Sequence, residues 1–220
     1  MSGEDMDRLI ERLAADSRPV RVLAPPLRRA VLLLAFMGAV ALAAILTMGD
    51  MDTLRTQHAG REEMMYIETA AMLATAALAV TGAFFLSIPG RSRMWLAAPL
   101  PAALLWIALS GMGCWRDLVR HGSDGWSLGH SSDCLLFILG VSAALGIPLF
   151  WRLSRAAPID PLRVAILAGL GTAALAAFIL QFFHPLPVTF LDLGVHVAAI
   201  LIVIGAASLL RGRMLIRSEA

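Results

Sequence analysis

The sequence predicts an all-α, polytopic membrane protein: a six-transmembrane-helix bundle with its N- and C-termini in the cytoplasm. Three observations carry that prediction. First, 59% of the 220 residues are hydrophobic and only 15% are charged, with a mean hydropathy of +0.77. A water-soluble domain of this length needs far more polar surface. Second, six charge-free apolar stretches approach the ~20 residues that cross ~30 Å of hydrocarbon. Third, arginines gather in alternate connecting segments.

The six stretches are Ala30–Met48, Thr69–Pro89, Met94–Trp115, Cys134–Trp151, Val164–Phe183 and Leu193–Leu210. Lipid offers no partner to a backbone N–H or C=O, so each must close its own hydrogen bonds as a helix. The polar–apolar alternation of a barrel strand is absent. About 29 polar and charged residues precede the first stretch, unlike the short basic start of a signal peptide, so this stretch reads as a retained span. The chain thus divides into a cytoplasmic N-terminal segment (1–29), a bundle (30–211) and a cytoplasmic tail (212–220).

Orientation follows from the arginines, which supply all 18 basic residues. With the N-terminus inside, the inner segments hold Arg8, Arg12, Arg18, Arg21, Arg28, Arg29, Arg91, Arg93, Arg152, Arg155, Arg163, Arg211, Arg213 and Arg217. Only Arg55, Arg61, Arg116 and Arg120 fall outside. An odd number of spans would break this alternation. Trp95, Trp115 and Trp151 stand at span ends, as an aromatic belt requires. Gly140, Gly146, Gly169 and Gly171 are expected to let helices approach closely. A net charge of +2 gives no reason to expect direct contact with nucleic acid.

In the N-terminal segment, Met6, Leu9, Ile10 and Leu13 recur at i, i+3, i+4 and i+7 and form one apolar stripe on a short helix. Glu4, Asp5, Asp7, Glu11 and Asp16 share the other face with Arg8 and Arg12. A helix resting on a membrane usually has a strongly basic polar face, whereas this face is mixed and acidic. Docking into a groove of a cytoplasmic partner therefore competes with surface binding, with those four side chains as anchors. So short a helix is marginal alone in water and folds on binding.

Cys114 closes the third span and Cys134 opens the fourth, so both lie at the outer surface of the membrane. Consecutive antiparallel helices usually pack as neighbours, which would bring the sulfurs together. A disulfide is one reading in an oxidising compartment, stabilising by ~3 kcal/mol on the chain-entropy account. Between the cysteines lie His121 and His130, and two thiolates with two imidazoles suit a soft ion such as zinc, cadmium or copper(I). The spacing matches no structural zinc motif. Charged or titratable groups within a span need a reason to be there. Glu68 stands at the outer end of span two, and Asp192 and His196 are four apart on one face of span six.

The run Leu13–Ala30 (LAADSRPVRVLAPPLRRA), followed by six spans with one cysteine at each end of an outer hairpin region, resembles the NrsF family over nearly the whole chain. Those proteins are negative regulators of extracytoplasmic-function (ECF) sigma factors, that is, membrane-bound anti-sigma factors of the bacterial inner membrane. The resemblance implies an ECF sigma factor as partner, held by the N-terminal segment and released on a periplasmic signal. It also implies Cys114 and Cys134 as sensor residues for metal or oxidative stress. No resident cofactor is implied beyond a transient metal ion at those cysteines, and no enzyme activity.

The competing class is a quinone-linked thiol–disulfide oxidoreductase using the same cysteine pair, but such enzymes usually need a second dithiol and commonly a C-x-x-C motif. A haem or transport protein using His58, His184 or His196 is a third class, with only His196 inside a span. No nucleotide-binding loop, nucleophile elbow or metalloprotease motif is present.

Overall fold

A computed structural model describes residues 3–15, 23–49, 62–121, 131–183 and 190–215. The regular elements among the described residues are all helices, with no strand. The elements are α1 (Gly3–Ala15), α2 (Pro26–Met48), α3 (Glu62–Leu86), the single turn α4 (Met94–Ala97), α5 (Leu100–His121), α6 (Ser131–Ser154), α7 (Pro161–Leu180) and α8 (Phe190–Leu215). Six stretches are long and apolar enough to cross a membrane, with α4 and α5 together supplying the third.

The helices extend past the charge-free stretches. Glu62 rather than Thr69 opens α3, so Glu68 sits about two turns inside the helix. Local chemistry sets the other ends. Pro26 begins α2 and Pro161 begins α7 at the first-turn position where a missing N–H costs nothing. Asp160 caps α7 by accepting from the Arg163 backbone N–H at 3.3 Å. After α3 the chain turns through Gly90, whose φ of +77° favours glycine. The third span is interrupted between Ala97 and Leu100, because Pro99 and Pro101 both lack the N–H that would continue the ladder.

The core of the bundle is α7, from which Val164, Ala165, Ala168, Ala173, Ala174 and Ala177 are buried. It packs most extensively on α3, then on α8 and α6. The third span packs on α3 and touches α8, and α2 also packs on α3. The sequence leads one to expect spans three and four to be neighbours. Instead α5 and α6 scarcely meet: both pack on α8, which runs between them.

Lipid competes well for apolar side chains, so helix association in a membrane depends on close, complementary packing. Glycines supply it where α7 crosses its neighbours. A Cβ on Gly169 would lie 3.0 Å from the Ile204 Cα, and one on Gly171 would lie 2.8 Å from Val80 Cγ2. Gly82, which the sequence does not single out, is as tight: a Cβ there would meet the Trp95 carbonyl oxygen at 2.9 Å. Gly140 and Gly146 do not act this way. Nothing lies within 4 Å at Gly140, and at Gly146 the nearest atom belongs to Phe150 of the same helix.

At the end where α2 begins and α6 finishes, Arg29 is a buried staple. Its Nη2 donates to the Arg152 carbonyl at 2.6 Å, satisfying one of the last four carbonyls of α6. Its guanidinium also lies over the Phe84 ring, 5.0 Å from the centroid, which ties in α3.

Overpacking of this kind costs about 1–3 kcal/mol. Gly169→Leu and Gly171→Leu should each lower the thermal midpoint of the detergent-solubilised protein, whereas Gly140→Leu should leave it near wild type. Circular dichroism melts of the three variants check this.

Candidate functional site

At the end of the bundle opposite Arg29, five helices contribute polar or sulfur-bearing groups to one layer. Helix α5 brings Ser110, Gly111 and Cys114 there on its last turns. Ser110 Oγ donates to the Glu68 carboxylate of α3. The carboxylate is therefore not simply solvated at a helix end. One residue on, Thr69 Oγ1 donates to Gln181 Oε1 at 3.2 Å, joining α3 to the end of α7. Ser110, Thr69 and Gln181 escaped the sequence reading, since an uncharged residue near a span end is unremarkable until its neighbour is known.

Both cysteines are buried thiols, each about 3% exposed. Cys134, in the first turn of α6, packs with Ile138, with Ala176 and Leu180 of α7, and with Ala199 of α8. One turn before Cys114 on α5, a Cβ on Gly111 would lie 3.9 Å from Leu193 Cδ2 of α8. The N-terminal part of α8 thus touches the helix of one thiol at Leu193 and the packing shell of the other at Ala199. His196, half-buried, falls midway between those positions at i+3 spacing.

This arrangement brings together some of the sequence-predicted residues and leaves others apart. Glu68 gains Ser110, and His196 stands half-buried on α8 between Leu193 and Ala199 in sequence. Asp192 lies in the first turn of α8 and His121 ends α5; their side chains are not among those described. His130, His58 and His184 lie outside the described residues. Among the described residues, no three His, Cys, Asp or Glu side chains converge on a point that would hold a metal ion.

Helix α1 carries the other candidate surface. It forms as the i, i+3, i+4 pattern predicts. Met6, Leu9, Ile10 and Leu13 leave between 43% and 65% of their surfaces open. No bundle helix packs appreciably on it.

Residues 13–217 match the family NrsF, described as "Negative regulator of sigma F". The chain belongs to that family. The match covers the six spans and the arginine-rich approach to them, and begins at Leu13, the last of the four apolar positions on α1. No curated protein and no solved structure matches. Membership makes a sigma factor the partner class and its negative regulation the family's role.

The Glu68–Ser110 contact is open to a double-mutant cycle. Buried polar pairs between membrane helices are worth about 0.6–2 kcal/mol. With Glu68→Gln and Ser110→Ala, the coupling in unfolding free energy should fall in that range. The cycle should read zero if the two side chains do not meet.

Proposed function

We propose that this chain is a membrane-bound anti-sigma factor that sequesters an ECF sigma factor through its cytoplasmic N-terminal segment. It releases the factor when Cys114 and Cys134, facing the periplasm of the bacterial inner membrane, sense metal or oxidative stress. The observation that carries the reading is α1: an amphipathic helix with its apolar stripe open, held close to a membrane bundle of a family that restrains sigma factors. Arginine placement supports the orientation, with α1 and the thiols on opposite sides of the bilayer.

A physical link between the two sides runs through α6. That helix begins beside Cys134 and ends at the carbonyl of Arg152, which Arg29 grips from the start of α2. Residues 16–25 connect α2 to α1. On the sensing side, α8 stands between the two thiol helices. A soft divalent cation binding both sulfurs displaces two protons. A peroxide oxidising them to a disulfide takes up two electrons and two protons and leaves as two molecules of water. Either event favours α5 and α6 closer together and therefore disfavours α8 in its present position. A coupling of ~1–3 kcal/mol between two such packings changes partner affinity about 5- to 150-fold. With two cysteines in all, the chain has no second dithiol for the exchange that the thiol–disulfide oxidoreductase reading usually needs.

Anchor residues at the centre of a helix-in-groove interface are worth ~2 kcal/mol or more. Full-length protein in nanodiscs should therefore capture its ECF sigma factor, and Ile10→Asp with Leu13→Asp should weaken capture about 30-fold or more. Unchanged capture would move the binding surface off α1. For the sensing arm, Cys114→Ser with Cys134→Ser should leave sigma-dependent transcription silent when cells are exposed to cadmium or peroxide, while wild-type cells respond. A response of wild-type size in the double variant would remove the thiols from the mechanism.

A further inference from the structure

At the arginine-rich end of the bundle, three guanidinium groups gather with no counter-ion among the described residues. Arg29 is only 8% exposed. One of its terminal nitrogens reaches the Arg152 carbonyl and its face covers Phe84, but the other, Nη1, is buried with no hydrogen-bond partner. The side chains of Arg152 and Arg155 lie within electrostatic reach of it and repel it. Both also lie over the same indole, that of Trp151, at 5.7 Å and 3.9 Å from the ring centroid. Among the described residues, no carboxylate pairs with any of the three. Asp160, the acidic residue closest to them in sequence, is engaged by Arg163, 3.2 Å from its Nε, and by the Arg163 backbone N–H.

Leaving a buried charged donor unpaired costs more than leaving a neutral one. Leaving it next to two like charges adds to the cost. An anion with several acceptor oxygens relieves both, and the planar fork of arginine matches phosphate geometry. The setting favours one source of that phosphate. Trp151 and Ile147, one turn apart on α6, are 55% and 66% exposed and continue away from the arginines along the bundle. A lipid acyl chain can lie along that face while its headgroup meets the guanidinium groups. Basic pockets between helices at a membrane surface bind anionic headgroups in this way.

We propose that Arg29, Arg152 and Arg155 form a binding site for the phosphodiester of an anionic phospholipid, with Trp151 and Ile147 as the wall for an acyl chain. The buried N–H of Arg29 supplies the donor that the lipid phosphate accepts, and the two exposed arginines supply charge. The site joins α2 to α6 through a lipid as well as through the direct hydrogen bond. It does not depend on the sigma-factor reading.

Native mass spectrometry of the full-length protein, titrated with phosphatidylglycerol or phosphatidylcholine, tests the assignment. Phosphatidylglycerol should bind at least tenfold more tightly. Arg29→Gln should reduce that preference about tenfold. Because Arg29 also braces the bundle, Arg155→Gln provides the cleaner test: it should weaken phosphatidylglycerol binding severalfold with the lipid-free melting temperature unchanged. Equal affinity for the two lipids, or an Arg155→Gln variant that binds as wild type, would overturn the proposal. So would competition by millimolar inorganic phosphate that displaces the lipid completely, which would mark a site for a soluble anion. If Asp5→Asn, Asp7→Asn and Glu11→Gln together raised lipid affinity tenfold, the acidic face of α1 would be the occupant instead. Unchanged affinity in that triple variant is the expected result.

Discussion

A bundle whose outer surface faces acyl chains gains little from hiding leucine, because lipid solvates leucine as well as a neighbouring helix does. What remains is contact distance, and in this chain contact distance is set by α7. Its alanines, with Gly169 and Gly171, present backbone rather than bulk to α8 and α3, so both helices can come within van der Waals range along much of its length. The other relations in the bundle follow from that approach. Once α3 and α8 are seated on opposite flanks of α7, the third span packs on α3 and touches α8, and α6 fills the space left beside α7 and α8. The two thiol helices end up separated because α8 already occupies the ground between them.

This explains which features were legible in the sequence and which were not. Span number was legible because a charge in hydrocarbon is costly, and the arginines confine themselves to segments that escape it. The stripe on α1 was legible because period 3.6 is visible in thirteen residues. Helix ends were less so: treating Glu68 as a boundary placed it at a span end, whereas Ser110 makes a carboxylate acceptable inside the helix. Neighbour relations were invisible. Spans that are apolar all round carry almost no directional signal, so nothing in the pattern tells Gly140, which faces open space, from Gly171, which meets Val80. The assumption that consecutive helices adjoin filled that gap and failed for α5 and α6.

Arg29 shows the same limit from the other side. Counted along the chain, it is one of many arginines marking an end of the bundle. In the fold it is the buried one among those described, and its partners come from two other helices: the Phe84 ring of α3 and the Arg152 carbonyl of α6. A count of charges cannot separate a residue that marks topology from one that carries mechanical connection. Only the depth of Arg29 beneath its neighbours does that.

That connection bears on how a signal would cross such a protein. Packed cores resist continuous deformation and tend to switch between discrete arrangements. Helix α6 has one end beside a thiol and the other gripped by a neighbour's arginine, and Pro148, which cannot donate to the helix ladder, lies one turn before the gripped end. Displacing α6 at Cys134 therefore strains the Arg29–Arg152 contact, or carries α2 with it. Because α2 follows α1 through a short connecting run, the start of α2 is where any rearrangement of the bundle would reach the apolar stripe. The direction of control is reciprocal: a partner that binds α1 more tightly in one bundle packing must also favour that packing at the cysteine end. On the proposed reading, a sigma factor docked on α1 would thus set how readily the two thiols meet, as much as the thiols would set how firmly the sigma factor is held.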